Sequence, residues 1–369
     1  MDSRHEQKYC YLDRSPFRGP GMHLRYLYLT AVATFLTWPA DVMAETIVDS
    51  GSKISLPANI DDMQIQPPAF QGIWGNLASG YRYRNTSDLI ELNVFRASYP
   101  SSSLWFAQAE NRTEQLFAAV GLTRVGAPEQ ITVNAEKPNG LRALYTPGTP
   151  FTSTATAVIS FGSWLVSIHS TSKTLDINQQ RERLSRIIAQ IIPSQPTAKT
   201  YPLEAYKDCP STKQMVLGPE GALPLETISM EMKIPGGLAA MVASKDAGGE
   251  SESGIAAQPS AYCRRQSPSG KTIWYETVDA AGLQRWVIPV SETGVTVEAM
   301  LVPATDKDGR GISMGVVLTN DLTQSSVRSF YNSLPNPISA QLPALAALMS
   351  STKDYASVKY GTDEIKISN

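Results

Sequence analysis

Ala155-Thr-Ala-Val-Ile-Ser-Phe-Gly-Ser-Trp-Leu-Val-Ser-Ile-His-Ser170, followed by Asp176-Ile-Asn-Gln-Gln-Arg-Glu-Arg-Leu-Ser-Arg-Ile-Ile-Ala-Gln-Ile-Ile-Pro193, is the stretch that decides the fold. Gly162-Ser163 suits a two-residue hairpin turn between two β-rich runs. Trp164, Val166 and Ile168 then point to one face of the second strand, and Leu165, Ser167 and His169 to the other. Asp176 with Gln179 three residues on is a capping-box pattern. Ile177, Leu184, Ile187, Ile188 and Ile191 repeat at helical spacing, Arg181, Glu182 and Arg183 lie largely off that stripe, and Pro193 stops the run. A hairpin closed by an amphipathic helix predicts an α+β fold built on an antiparallel sheet.

Working outward, Tyr81–Arg84 and Leu89–Ala97 read as strands around the turn cluster Asn85-Thr-Ser-Asp88. Ser101-Ser-Ser103 offers an N-cap for a helix over Leu104–Val120, and Gly121 suits its end. Strands are expected at 130–134 and 141–145. Residues 45–70, with Pro57, Pro67 and Pro68, read as a lead-in holding one short strand. Pro193–Thr200 reads as a linker. Beyond it, strands are expected at 229–233, 239–243, 261–266, 272–278, 285–290, 295–302 and 312–318, and helices at 322–334 and 343–349. Asp246–Pro259 reads as a loop. The predicted architecture is two α+β domains, 45–195 and 196–369, each an antiparallel sheet with packed helices. The first is α/β/α sandwich-like and the second more β-rich. Both halves end strand, turn, strand, then Asp176-Ile-Asn-Gln179 or Asp321-Leu-Thr-Gln324. An internal duplication and two independent helix caps account for this equally well.

Residues 22–44 have the three parts of a secretory signal peptide: Arg25, an apolar run Tyr26–Trp38, and Val42-Met43-Ala44 as a small-residue cleavage site. A membrane span takes about 20 apolar residues, and this run is shorter and closes on Pro39 and Asp41. Segment 1–44 is therefore expected to be removed, leaving a periplasmic or secreted chain of 325 residues with no stable membrane span. That length favours two cores over one. The whole chain carries 32 Lys+Arg against 34 Asp+Glu. Segment 1–44 holds five basic and four acidic residues, so 27 face 30 in the remainder. Near-neutral charge gives no footprint for nucleic acid. Cys10 lies in the removed segment, and Cys209 and Cys263 are expected to pair in an oxidising compartment, 54 residues apart being unlike a redox Cys-x-x-Cys.

The element order around Ser101-Ser-Ser-Leu-Trp105 and Ser160-Phe-Gly-Ser-Trp164 resembles the PsbP/Mog1-type α/β/α sandwich over about residues 75–195. The resemblance implies an accessory or binding module rather than an enzyme; it concerns fold and carries function only by analogy.

The chemistry-bearing motifs do not converge. Gly311-Ile-Ser-Met-Gly315 matches a nucleophile elbow, but no His follows Ser313 and the motif sits within an expected strand. His169, outside segment 1–44, has no second His or thiol to share a metal with and reads as a solvated strand residue. Asp306-Lys-Asp-Gly-Arg-Gly311 reads as a hairpin turn, because a calcium loop would need Glu where Val317 stands. Ser269-Gly-Lys-Thr272 lacks the first P-loop glycine, position 265 being Arg265. Asp61-Asp62 and Glu250/Glu252 are acidic pairs on expected loops, and Asn85-Thr-Ser87 and Asn111-Arg-Thr113 fit the glycosylation pattern. No catalytic, cofactor or metal residue is assigned. The expected function is a non-enzymatic accessory or binding protein that docks an envelope protein or glycan. The alternatives are a hydrolase using carboxylates or an atypical serine, and a structural component of the envelope.

Overall fold

The computed structural model describes residues 45–70, 78–97, 101–162, 164–193, 203, 208–210, 215–220, 222–225, 263–267, 273–278, 284–290, 292–305, 310–320, 324–349, 356–359 and 365–367. The signal segment 1–44, the linker 194–200, the expected strands 229–233 and 239–243, the loop 246–259 with Glu250 and Glu252, and residues 268–272 and 306–309 lie outside them.

Three antiparallel sheets make a mixed α+β chain rich in strand. The smallest pairs β1 (Thr46–Val48) with β2 (Ser55–Pro57). The second has nine strands: β3 (Asn59–Ile60), β4 (Met63–Phe70), β5 (Ala78–Arg84), β6 (Asp88–Arg96), β7 (Leu122–Arg124), β8 (Glu129–Ile131), β9 (Gly140–Pro147), β10 (Ser153–Phe161) and β11 (Trp164–Ser172). Their order is β3-β4-β5-β6-β11-β10-β9-β7, with β8 also on β9. The third is a meander of β12 (Cys263–Gln266), β13 (Ile273–Val278), β14 (Gln284–Val290), β15 (Val295–Thr305), β16 (Gly311–Asn320), β17 (Gln324–Tyr331), β18 (Ala356–Lys359) and β19 (Ile365–Ile367). All these elements belong to one compact unit, Ala44–Asn369.

Strand alternation sorts the nine-stranded sheet into two faces. Ile90, Leu92, Val94, Ala157, Ile159, Val166 and Ile168 form one core with Leu184, Ile187, Ile188 and Ile191 at the end of α2 (Ile177–Ala189) and just beyond it. Phe95, Val158 and Leu165 face the other way, into a core with Leu104, Trp105 and Ala109 of α1 (Ser102–Leu116). Ile273, Tyr275 and Val287 of the meander complete that second core, so α1 serves two sheets. On the meander's far face, Trp274, Trp286, Ile288 and Val317 pack with Ala340 and Ala344 of α3 (Pro337–Met349).

The caps follow the side chains. The Ser101 hydroxyl accepts from Leu104 N, and Asp176 and Gln179 form the reciprocal capping box of α2. Gly162 turns the β10–β11 hairpin at φ 67°, a conformation that costs glycine little.

Three expectations need correction. Residues 45–70 hold four strands rather than one, and Ser55 and Ile192 exchange backbone hydrogen bonds, tying this segment to the end of α2. The expected helix 322–334 is the strand β17: Ser325–Val327 and Ser329–Tyr331 pair with β16 on either side of a register shift at Arg328. The last helix starts at Pro337 rather than Pro343. Asn336 Oδ1 accepts from Ile338 N, and proline suits the first helical position, where its missing N–H would go unpaired anyway. Among the described residues no helix is long and apolar enough to cross a membrane.

Candidate functional site

Polar residues at alternate positions of β6, β10 and β11 share the α1 face with the apolar core. Register sets Arg82, Glu91, His169 and Thr156 side by side across β5, β6, β11 and β10. Asn93 and Ser167 form the next pair along the same face. From above, α1 contributes Arg112 and Thr113. These stand seven and eight residues beyond Trp105, on its side of the helix. From the meander comes Glu292, in the turn between β14 and β15.

Glu292 is the hub. Its Oε1 lies 2.5 Å from His169 Nε2. Its Oε2 accepts from Arg112 Nη1 at 2.5 Å and from Asn93 Nδ2 at 2.9 Å. Arg112 Nη2 reaches Glu91 Oε2 at 2.7 Å, and Arg82 Nη2 reaches Glu91 Oε1, also at 2.7 Å. Behind the imidazole, Nδ1 faces Thr156 Oγ1 at 3.3 Å and Thr113 Oγ1 at 3.4 Å. The two hydroxyl oxygens are 2.8 Å apart, and Thr113 Oγ1 donates to Ala109 O.

Burial acts most strongly on the Glu292 carboxyl and by itself would raise its pKa. The facing charge of His169 and its hydrogen bond, then those of Arg112, outweigh burial and hold the group below its ordinary value. The Arg112 guanidinium is pushed down by burial and up by Glu292 and Glu91, with a net rise. Charge therefore stays on both partners of the junction.

His169 is a correction. It is not a solvated strand residue but 7 % exposed, roofed by α1 and by the 292 turn. The other singled-out residues do not join it. Ser313 is exposed within β16, where it pairs with Pro303 rather than sitting on a strand-to-helix turn. The closing glycine of that motif, Gly315, has a packing reason: a Cβ there would lie 2.0 Å from Ser333 O. Asp61 is ion-paired with Arg183 at 2.8 Å and Arg186 at 3.0 Å, and Asp62 accepts from Asn85 Nδ2. Asp61 thus ties the β3–β4 turn to α2, and Asp62 ties it to the β5–β6 turn. Asn85 is exposed at the β5–β6 turn, whereas Asn111 is buried on α1.

Cys209 and Cys263 stand at disulfide distance, Sγ to Sγ 2.01 Å, with Cα atoms 4.7 Å apart. Glu276 lies beside them, within 4.8 Å of both sulfurs. Sulfurs joined to each other are not thiolate ligands, and Glu276 accepts instead from Arg265 Nε and Trp274 Nε1, each at 2.8 Å.

Sequence reading did not single out Glu91, Asn93, Arg112, Thr156 or Glu292. One local signal was present: Glu91 and Asn93 alternate with apolar residues on a strand expected to be covered by helices. Polar groups on a covered face need partners. Glu292 had no such signal, because its partners lie 123 to 199 residues away.

Comparison with protein-family models, with curated proteins and with solved structures finds no match to this chain.

Proposed function

We propose that this chain is an exported, non-catalytic accessory protein of the cell envelope, built from two α+β modules, 45–195 and 196–369, that docks an envelope protein or glycan. The observation that carries this reading is that every carboxylate oxygen of the junction already has a donor. Both oxygens of Glu292 are taken up by His169, Arg112 and Asn93, and both oxygens of Glu91 by Arg112 and Arg82. A general base needs a free position within hydrogen-bond reach of its substrate. These groups spend their hydrogen-bonding capacity on holding strands, α1 and the 292 turn together.

The placement of α1 and α2 on opposite faces of an antiparallel sheet supports the likeness of residues 75–195 to the PsbP/Mog1-type sandwich, and with it the accessory role. The Cys209–Cys263 pair and the grammar of residues 22–44 support export to an oxidising compartment.

Two experiments test the reading. Amino-terminal sequencing of native material should begin at Glu45; an intact Met1 on a reduced, intracellular chain would refute export. Cross-linking in the native envelope should recover one specific partner. Hydrolysis of an ester, peptide or glycan panel, abolished by one point change, would refute the non-catalytic role.

A hydrolase is the second reading, favoured by one observation: Thr156, His169 and Glu292 stand in the order hydroxyl, imidazole, carboxylate. Thr156 is fully buried, so this reading requires the 292 turn to lift before substrate could enter. Thr156→Val would abolish such an activity and leave partner capture unchanged.

A further inference from the structure

The hydrogen bonds around His169 depend on how many protons the ring carries. Nε2 must carry one, because a lone pair aimed at a carboxylate oxygen 2.5 Å away would find no donor. On the other side, Thr113 gives its proton to Ala109 O at 2.9 Å, an atom that can only accept. Thr156 then has one proton and two candidate acceptors, Thr113 Oγ1 at 2.8 Å and His169 Nδ1 at 3.3 Å. With the ring doubly protonated, Nδ1 donates to Thr156, Thr156 to Thr113 and Thr113 to Ala109, and every donor has one acceptor. With Nδ1 bare, Thr156 must turn to the ring, and the Thr113 oxygen loses its donor. Loss of that proton also removes the charge facing Glu292.

The charged groups around the ring fix the sign. Glu91 stands beside it on β6, with Arg82 beyond on β5. Arg112 comes from α1 and Glu292 from the β14–β15 turn, while β10 presents the uncharged Thr156. Two guanidinium groups match two carboxylates, so the ring proton is the variable charge. The carboxylate nearest to it is the one that bridges the sheets.

We propose that His169 makes this junction a proton-operated latch. The imidazolium clamps the β14–β15 turn onto the nine-stranded sheet, and the neutral ring loosens it. The latch holds whether or not the chain docks a partner.

Amide hydrogen exchange of the full-length chain, corrected for intrinsic rates, tests it together with an NMR titration of the His169 ring. Protection of the β14–β15 hairpin amides should fall about fivefold as the ring loses its proton, the scale of one hydrogen bond. Its midpoint should coincide with that of the ring. His169→Gln and Glu292→Gln should both flatten the profile. Constant protection while the ring titrates, or an unchanged profile in His169→Gln, would overturn the proposal. Should His169→Gln fail to fold, Thr156→Val removes the hydroxyl relay but keeps the ion pair. A shallower profile in that variant supports the latch, and an unaltered one overturns it.

Discussion

Glu292 and Glu298 stand six residues apart on one hairpin, and both are buried, yet they do different work. Glu298, fully buried on β15, faces Arg285 at 3.0 Å and accepts from Asn320 at 3.1 Å, residues of the adjoining strands β14 and β16. Glu292, on the turn, takes its partners from β6, α1 and β11 of the other large sheet. A buried carboxylate always needs compensation. Where compensation comes from the next strand, the charge secures a sheet. Where it comes from more than a hundred residues away, the charge secures one sheet to another.

The largest effect expected from this contrast is that of Glu298→Ala. It removes a fully buried carboxylate that faces Arg285 and Asn320 and should lower the urea-derived stability by about 3–5 kcal/mol. Unfolding should remain one cooperative transition followed by tryptophan fluorescence. The double change Cys209→Ser, Cys263→Ser should cost about 4 kcal/mol for a closed loop of this length. That loss belongs to the meander, so hydrogen exchange at β6 and β11 should shift less than at β12 and β13. Glu292→Ala should cost less, about 2–3 kcal/mol, because Arg112 keeps Glu91. Its signature is local: faster exchange in the β14–β15 turn. An equal and global loss in both glutamate variants would break the comparison.

Acid sharpens it further. The Glu292 pKa is lower in the folded chain than its ordinary 4.5. Its stabilising contribution is therefore present above about pH 4.5 and disappears as pH falls through the lower folded value. A denaturation series from pH 6 to pH 3 should show wild type losing stability steeply, with Glu292→Gln losing less over the same interval. Ser313→Ala is the smallest, within about 0.5 kcal/mol of wild type and with no change on any ester substrate.

The sequence made much of the nine-stranded sheet legible because its cues are local. Gly162, the capping box at Asp176 and the period-two run from Trp164 to Ser170 each act within a few residues. β17 was misread because Asp321-Leu-Thr-Gln324 imitates a cap, while the strand depends on pairing with β16. The start of α3 was readable in Asn336-Pro337, a cap followed by a first-turn proline, but Pro343 drew the boundary instead. His169 was read as solvated because its immediate neighbours Ser167, Ser170 and Thr171 are polar. What buries it comes from α1 and from Glu292, and no window around residue 169 contains either. The site as a whole is non-local, whereas each half of the disulfide announces itself by residue type.

The double duty of α1 has a consequence for biogenesis. Synthesis delivers the amino-terminal portion first, so Leu104, Trp105 and Ala109 are in place before Ile273, Tyr275 and Val287 emerge. The later meander thus condenses on a ready-made apolar template, and Glu292 arrives at a polar notch already laid out by β6 and β11. A permuted gene that delivers residues 196–369 ahead of 45–195 would reverse this order. It should yield more aggregate during synthesis, although the finished architecture is the same.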